Sequence, residues 1–428
     1  MAKSITRRNA VRAMAAAGAL AALGTLGGCG TSQTQGSATG SMRENSSYPA
    51  AAKNGAGQLT FAANIASQLL GSSGENSCLS PASLYVALAM LTVGASGTTQ
   101  QQLLGALGQD SAEALSQSCQ DMKKALEFGP TCGTDTEEDP RLMFANSIWA
   151  SDAYQVIKAY EERLEQEFDA EVFTCDFTDS KTNGKVSKWV GEKTLGLLSP
   201  EFDLDPATVM ALINTLYFRD CWKDPFDASQ TESADFKAQG KTVKADFMHA
   251  SLTSGFGEFA ECQIGQLAFS ASGSTLRLLL PWEGGSAESL LSDPAVLDAL
   301  LAAELEECLV NWTLPKFSIE STFDVRGALQ DLGLTAMFQP SGDFDAAITP
   351  KGQTTSDLCV STVEQGTKIA VDETGALAAA YTAVTVKEMS LLRPEREVEF
   401  ILDRPFAYAL LGNDGTPLFV GVVQDPTA

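Results

Sequence analysis

Thirteen consecutive residues, Thr374 to Val386, carry no charge, and charge resumes abruptly at Lys387-Glu388. Read with the period of a strand, one face of this run is Ala376, Ala378, Ala380, Thr382, Val384 and Val386. Every residue on that face is small or β-branched, so the segment could slide between existing strands without steric rejection. The same composition also fits an ordinary buried strand or an Ala-favoured helix, and the run by itself leaves these readings open.

The rest of the chain limits what could surround such a segment. Of 428 residues, 44% are hydrophobic, enough for a large core. No internal repeat and no second linker appear after residue 57, so residues 57–428 read as one domain. Helical periodicity opens it, with Phe61, Ile65 and Leu69 on one face. Ser80-Pro81 reads as an N-cap followed by proline at the first helical position, and that helix stops near Gly94. Thr98 or Thr99 caps another helix, and 112–128 forms a third. Strand-like runs then dominate: 142–150, 171–177, 207–219, 266–270, 275–282, 309–319, 357–372, 398–411 and 418–423. Helices are expected between them at 154–168, 183–197 and 323–332. Helices first, then long strands without strict alternation, indicate an α+β fold with mostly antiparallel sheets.

Charge and composition exclude several functions. The net charge is −25, which argues against nucleic acid as a partner. The single histidine, His249, leaves no His-based metal site. A Ser/His hydrolase would have to use His249, and no nucleophile motif accompanies it. No phosphate-binding or dinucleotide motif is present, and no cofactor or metal is expected.

The first 28 residues have the pattern of an export signal. Lys3, Arg7, Arg8 and Arg12 precede a short Ala/Gly/Leu run, and Leu26-Gly27-Gly28-Cys29 resembles a lipobox. Thr6-Arg7-Arg8 resembles a twin-arginine signal, with general secretion as the alternative. Cys29 is then the lipidated N-terminus, and 30–56, rich in Ser, Gly, Thr and Gln, reads as a flexible tether. The expected location is the outer face of a cell membrane, or the extracellular space. Of the other cysteines, Cys78, Cys175, Cys221, Cys308 and Cys359 lie in apolar runs and read as buried hydrophobes. Cys119 and Cys132 flank a polar loop and could pair.

Nine sequence strings occur together in a familiar order. They include Asn76-Ser77-Cys78-Leu79-Ser80-Pro81-Ala82-Ser83, Ala145-Asn146-Ser147-Ile148-Trp149 and Val186-Ser187-Lys188-Trp189-Val190. Leu212 to Phe218 with Cys221-Trp222, and Leu314-Pro315-Lys316-Phe317, follow. Val371-Asp372-Glu373-Thr374-Gly375, Asp403-Arg404-Pro405-Phe406 and Leu418-Phe419-Val420-Gly421 complete the pattern. On these strings the chain resembles the serpin family across residues 57–426.

That resemblance implies three β-sheets, eight or nine helices and an exposed reactive-centre loop. It implies a monomeric suicide inhibitor of serine proteases. The protease attacks the loop, forms an acyl-enzyme, and is trapped when the cleaved loop inserts into the large sheet. Glu373, Gly375 and Ala376 would form the hinge, with Ala378, Ala380 and Thr382 on the inserted face. In inhibitory serpins the scissile residue lies sixteen positions after the hinge Glu, which gives Met389–Ser390, with Arg393 as runner-up. Met389 would suit elastase-, chymotrypsin- or subtilisin-like pockets. The resemblance further implies a shutter beneath the sheet at Ser80, Ser83, Ser187 and Gln365. It places Trp222 at the breach, where the loop enters. Gln365 stands where the family often has His, and Ser187 where it has Asn. The alternative within the family is a non-inhibitory serpin acting as a binding module.

Overall fold

The computed structural model describes residues 56–72, 74–128, 141–198, 200–360, 363–376, 394 and 396–428. In chain order the first half comprises α1 (Ala56–Leu70), β1 (Ser77–Leu79), α2 (Pro81–Gly94), α3 (Gly97–Ala106), α4 (Ala112–Leu126), β2 (Arg141–Ser151), β3 (Tyr154–Val156), α5 (Lys158–Phe168), β4 (Glu171–Cys175), α6 (Lys181–Lys193) and β5 (Met210–Cys221). There follow β6 (Glu232–Ala238), β7 (Lys241–Glu258), β8 (Cys262–Ala268), β9 (Thr275–Pro281), α7 (Ala287–Ser292), α8 (Pro294–Ala302), β10 (Glu306–Pro315), β11 (Phe317–Asp324) and α9 (Arg326–Asp331). The C-terminal part holds β12 (Ile348–Pro350), β13 (Glu364–Val371), β14 (Gly375–Ala376), β15 (Glu397–Ile401), β16 (Phe406–Leu411) and β17 (Pro417–Val423).

Among the described residues there are thus nine α-helices and three sheets. A nine-stranded sheet runs β1-β17-β16-β9-β8-β7-β10-β15, with β6 on β7. A six-stranded sheet runs β11-β13-β14-β5-β2-β4, and β12 pairs with β3. Helix α2 packs against both β5 and β17, so it lies between the two large sheets. Its sequence explains that position. Ser80 Oγ accepts from the Ser83 amide at 3.3 Å, Pro81 occupies the first turn, and no charge appears to Gly94. A helix apolar all round is a core helix.

Several elements differ from the sequence reading. The 154–168 helix begins only at Lys158, because Tyr154–Val156 pairs with β12. The 309–319 run is two strands, in different sheets, that part at Lys316. The 398–411 run also divides: β15 pairs in parallel with β10, while β16 lies between β17 and β9. Pro405, lacking an amide proton, falls in the break. β13 starts at Glu364 rather than near 357, β8 at Cys262 rather than 266, and α3 is preceded by Ser96 rather than capped by Thr98 or Thr99. The long β6–β7 hairpin and helices α7 and α8 are additional to the elements expected from the sequence. Cys359 is exposed and Cys221 half-buried, whereas Cys78, Cys119, Cys175, Cys262 and Cys308 are buried free thiols. Burial pushes Cys78 up to about 11 and Cys262 up to about 12.

Candidate functional site

The six-stranded sheet contains a seam. Among the described residues, β13 and β5 are joined through β14, which is only two residues long. Gly375 pairs with Cys221, and Ala376 pairs with Asp220 on one side and Val371 on the other. The chain reaches this position by a tight turn after β13. Asp372 Oδ1 accepts from the Thr374 amide at 2.8 Å and from Thr374 Oγ1 at 2.6 Å, and the Asp372 amide donates to Gly375 O at 3.1 Å.

The turn is held from outside by aromatic and charged groups. The Trp222 amide donates to Thr374 O at 2.8 Å, and its indole Nε1 donates to Asp372 O at 2.8 Å. The indole stacks on Phe269 with centroids 4.5 Å apart. Glu373 accepts from Thr231 Oγ1 at 2.8 Å and pairs with Lys316 Nζ at 3.0 Å. Partial burial pushes the Glu373 carboxyl up. Hydrogen bonds from its own backbone, Thr231 and Lys316 outweigh that and hold it below the usual range.

Gly375 is required by close approach. A Cβ there would lie 2.0 Å from Asp220 O and 2.8 Å from Cys221 Cα, both backbone atoms. The Ala376 side chain is fully buried. Opposite it, the buried Asp220 carboxylate collects the Cys221 amide at 2.8 Å, the Ser272 amide at 2.7 Å and the Ala271 amide at 3.2 Å. This ties the end of β5 to the turn between β8 and β9.

Deeper along the seam the polar groups belong to the sheet and to α2. Gln365 Oε1 accepts from the Ser80 amide at 2.9 Å, and its Nε2 donates to Ser80 O at 2.8 Å. Thr367 Oγ1 donates to Cys78 O at 2.5 Å, and Ser321 Oγ accepts from the Cys78 amide at 3.0 Å. Side chains from β13 and β11 thus satisfy backbone that β1 leaves unpaired. Ser83 Oγ donates to Asn214 Oδ1, Asn214 donates to Asn146, and Asn146 Nδ2 donates to Phe168 O at 2.7 Å. Asn214 and Asn146 face each other in the β5–β2 ladder. Beyond them a cavity of about 300 Å³ separates the first residues of β5 from the start of β13, floored by α2.

The structure brings Glu373, Gly375, Ala376 and Trp222 together at one end of the seam, and Ser80, Ser83 and Gln365 further along it. Ser187 does not join them: its Oγ donates to Asn183 O at 3.0 Å within α6. The amide beside Ser83 is Asn214. The signal for it was an amide inside an otherwise apolar strand, Leu212-Ile213-Asn214-Thr215-Leu216. Asn146, between Phe144-Ala145 and Ser147-Ile148-Trp149, could have been found by the same test; Asp220, beside Arg219, could not. Gln365 meets the Ser80 backbone rather than the Ser83 hydroxyl, because an amide presents donor and acceptor side by side. Cys29, Ala378, Ala380, Thr382, Met389, Ser390 and Arg393 lie outside the described residues, as does Cys132. His249 lies in β7 beside Thr313 Oγ1, 3.3 Å away, with no catalytic partner among the described residues.

Among the described residues, the two-residue β14 thus occupies only one end of the seam between β13 and β5. The serpin (serine protease inhibitor) family model matches residues 56–426, and the chain belongs to that family. Serpin-ZXA of Oryza sativa subsp. japonica is 30% identical over 395 residues, covering 86% of this chain and 96% of that protein. The native state of Tengpin, a thermophilic serpin, superposes with a TM-score of 0.76 at 26% identity, covering 89% of this chain and 96% of that one. Thyroxine-binding globulin in complex with thyroxine gives 0.74 at 25% identity, covering 88% of this chain and 100% of that one. Serpins are generally protease inhibitors rather than enzymes.

Proposed function

We propose that this chain is a suicide inhibitor of serine proteases that traps the acyl-enzyme by inserting its cleaved loop between β13 and β5. The observation that carries this reading is a match of lengths. Ala376 pairs with Asp220, and each step up the loop moves one residue back along antiparallel β5. Continued in that register, Ala378 meets Phe218, Ala380 meets Leu216, Thr382 meets Asn214, and Val386 meets Met210. Met210 is the first residue of β5. The uncharged run ends where β5 ends, and Lys387-Glu388 would emerge beyond the sheet. On the other side, counting from Ala376↔Val371, Thr382 falls opposite Gln365. A hydroxyl would then join the two amides that flank the seam.

Cleavage at Met389–Ser390 places the acyl linkage just past this strand. Met389 is unbranched and apolar, so the targets are elastase-, chymotrypsin- or subtilisin-like enzymes. The test mixes the full chain with elastase, chymotrypsin, subtilisin and trypsin. An SDS-stable complex and a released peptide beginning at Ser390 are the expected results. A peptide beginning at Pro394 would move the bond to Arg393. Cleavage without any complex would favour the second reading, a non-inhibitory binding protein, which the likeness to thyroxine-binding globulin supports. We further propose export by a twin-arginine or general secretory signal, lipidation at Cys29 and a membrane-anchored monomer. Labelling of wild type but not Cys29→Ala by a radioactive fatty acid tests the anchor.

A further inference from the structure

We propose that the cavity at the start of β5 is a binding site for a small molecule with an apolar body and a positive charge, and that its occupancy excludes loop insertion. The second half of this statement rests on the insertion reading above; the first does not. At about 300 Å³ the cavity is at the lower end of ligand-pocket sizes. A cavity of about 150 Å³ takes a benzene ring, so this one takes roughly two fused rings. Its floor is Leu84, Ala87 and Leu88 of α2, and Leu212, Ile348 and Leu358 add apolar walls. The charged groups that line it are all carboxylates: Asp205, Asp357 and Glu364, each exposed to solvent. No Lys or Arg is among the described lining residues. An apolar interior with an anionic mouth selects a cationic head over a neutral or anionic one.

The position gives the site its consequence. Met210, Leu212 and Asn214 line the cavity, and these are the register partners of Val386, Val384 and Thr382 in the inserted strand. A molecule seated there would stop insertion after the hinge half had entered. The acyl-enzyme would then hydrolyse, and the inhibitor would be consumed as a substrate.

The test titrates the full chain with 1-naphthylmethylammonium by calorimetry, with 1-naphthaleneacetate as the anionic counterpart. Saturable one-to-one binding of the cation is expected, with the anion weaker by about tenfold, the scale set by several exposed charge contacts. Ala87→Phe fills the floor and should abolish binding. Asp357→Asn with Glu364→Gln, both at exposed positions, should leave the fold intact and erase most of the preference for the cation. With a responsive protease, saturating cation should convert SDS-stable complex into cleaved chain in proportion to occupancy. Absence of saturable binding, equal binding of the anion, or undiminished binding to a folded Ala87→Phe variant would overturn the site. Undiminished complex formation at saturation would overturn the exclusion. If no protease gives a complex even without the probe, the insertion reading fails, and the titration alone still decides the site.

Discussion

Replacing Gly375 with alanine tests the seam most directly. The new methyl carbon would lie 2.0 Å from Asp220 O and 2.8 Å from Cys221 Cα. Ordinary contact needs about 3.4 Å or more, and neighbouring strands are held roughly 4.8 Å apart by their hydrogen bonds. Neither backbone atom can swing aside as a side-chain tip would, so β14 must leave the sheet. Its departure exposes the buried Ala376 and loosens the Trp222–Thr374 and Phe226–Glu373 backbone bonds, 2.8 and 3.0 Å long. At about 1 kcal/mol net per backbone bond, the cost is roughly 2–3 kcal/mol, similar to overpacking elsewhere. Under the proposed mechanism the cleaved loop would pass through the same place, so insertion would lose its starting point as well. The assay pairs thermal melting of the intact chain with the stoichiometry of protease inhibition. Gly366→Ala is the control, because a Cβ at Gly366 in β13 meets nothing within 4 Å. Gly375→Ala should melt several degrees lower and behave mainly as a substrate, while Gly366→Ala behaves as wild type. If Gly375→Ala keeps both the parental melting temperature and stoichiometry, the hinge is not seated between β13 and β5.

Four further outcomes are expected. Ala380→Glu would place an unpaired charge between Leu216 and Thr367 on insertion, at a cost of several kcal/mol, so covalent complex should give way to cleaved chain; parental yields of complex would contradict the inserted register. Clean cleavage of the loop should raise the melting temperature strongly, since a strand that fits the seam is then free to pair; an unchanged value would favour the non-inhibitory reading. Gln365→Leu orphans the buried Ser80 amide, while Ser80 O keeps its bond from Leu84 N at 3.2 Å; the loss should be about 1–3 kcal/mol, read by denaturant melts. Glu373 is held below its ordinary range, so its pairing stabilises the fold above the unfolded value, about 4.3, and that contribution fades as pH falls through the lower folded value. Glu373→Gln should therefore melt below wild type at pH 7 and approach it at pH 3; a gap that persists at pH 3 would show that the charge is not its source.

What the sequence settled by itself was local. Ser80-Pro81 marked the start of α2, because a cap and a fixed φ act within one turn. The period-two face from Ala376 onward could be read as that of a strand because side-chain alternation is a local property, but the run left a helix open as well, and all of it beyond Ala376 lies outside the described residues. Gly375 stood out only as part of a string; its necessity comes from a backbone more than 150 positions earlier, at Asp220. Register was likewise a tertiary matter. That Asn146 faces Asn214, and that Ser83 joins them, depends on how β2, β5 and α2 are brought together. The family resemblance, which is read along the chain, pointed instead to Ser187, which the fold leaves bonded within its own helix. The breaks at Lys316 and Pro405 followed the same logic, since a strand-like run cannot say in which sheet, or where in a sheet, its two halves will pair. The coincidence of the uncharged run with the length of β5 became measurable only when Ala376 was found opposite Asp220, because a pairing fixes the origin from which both strands are counted.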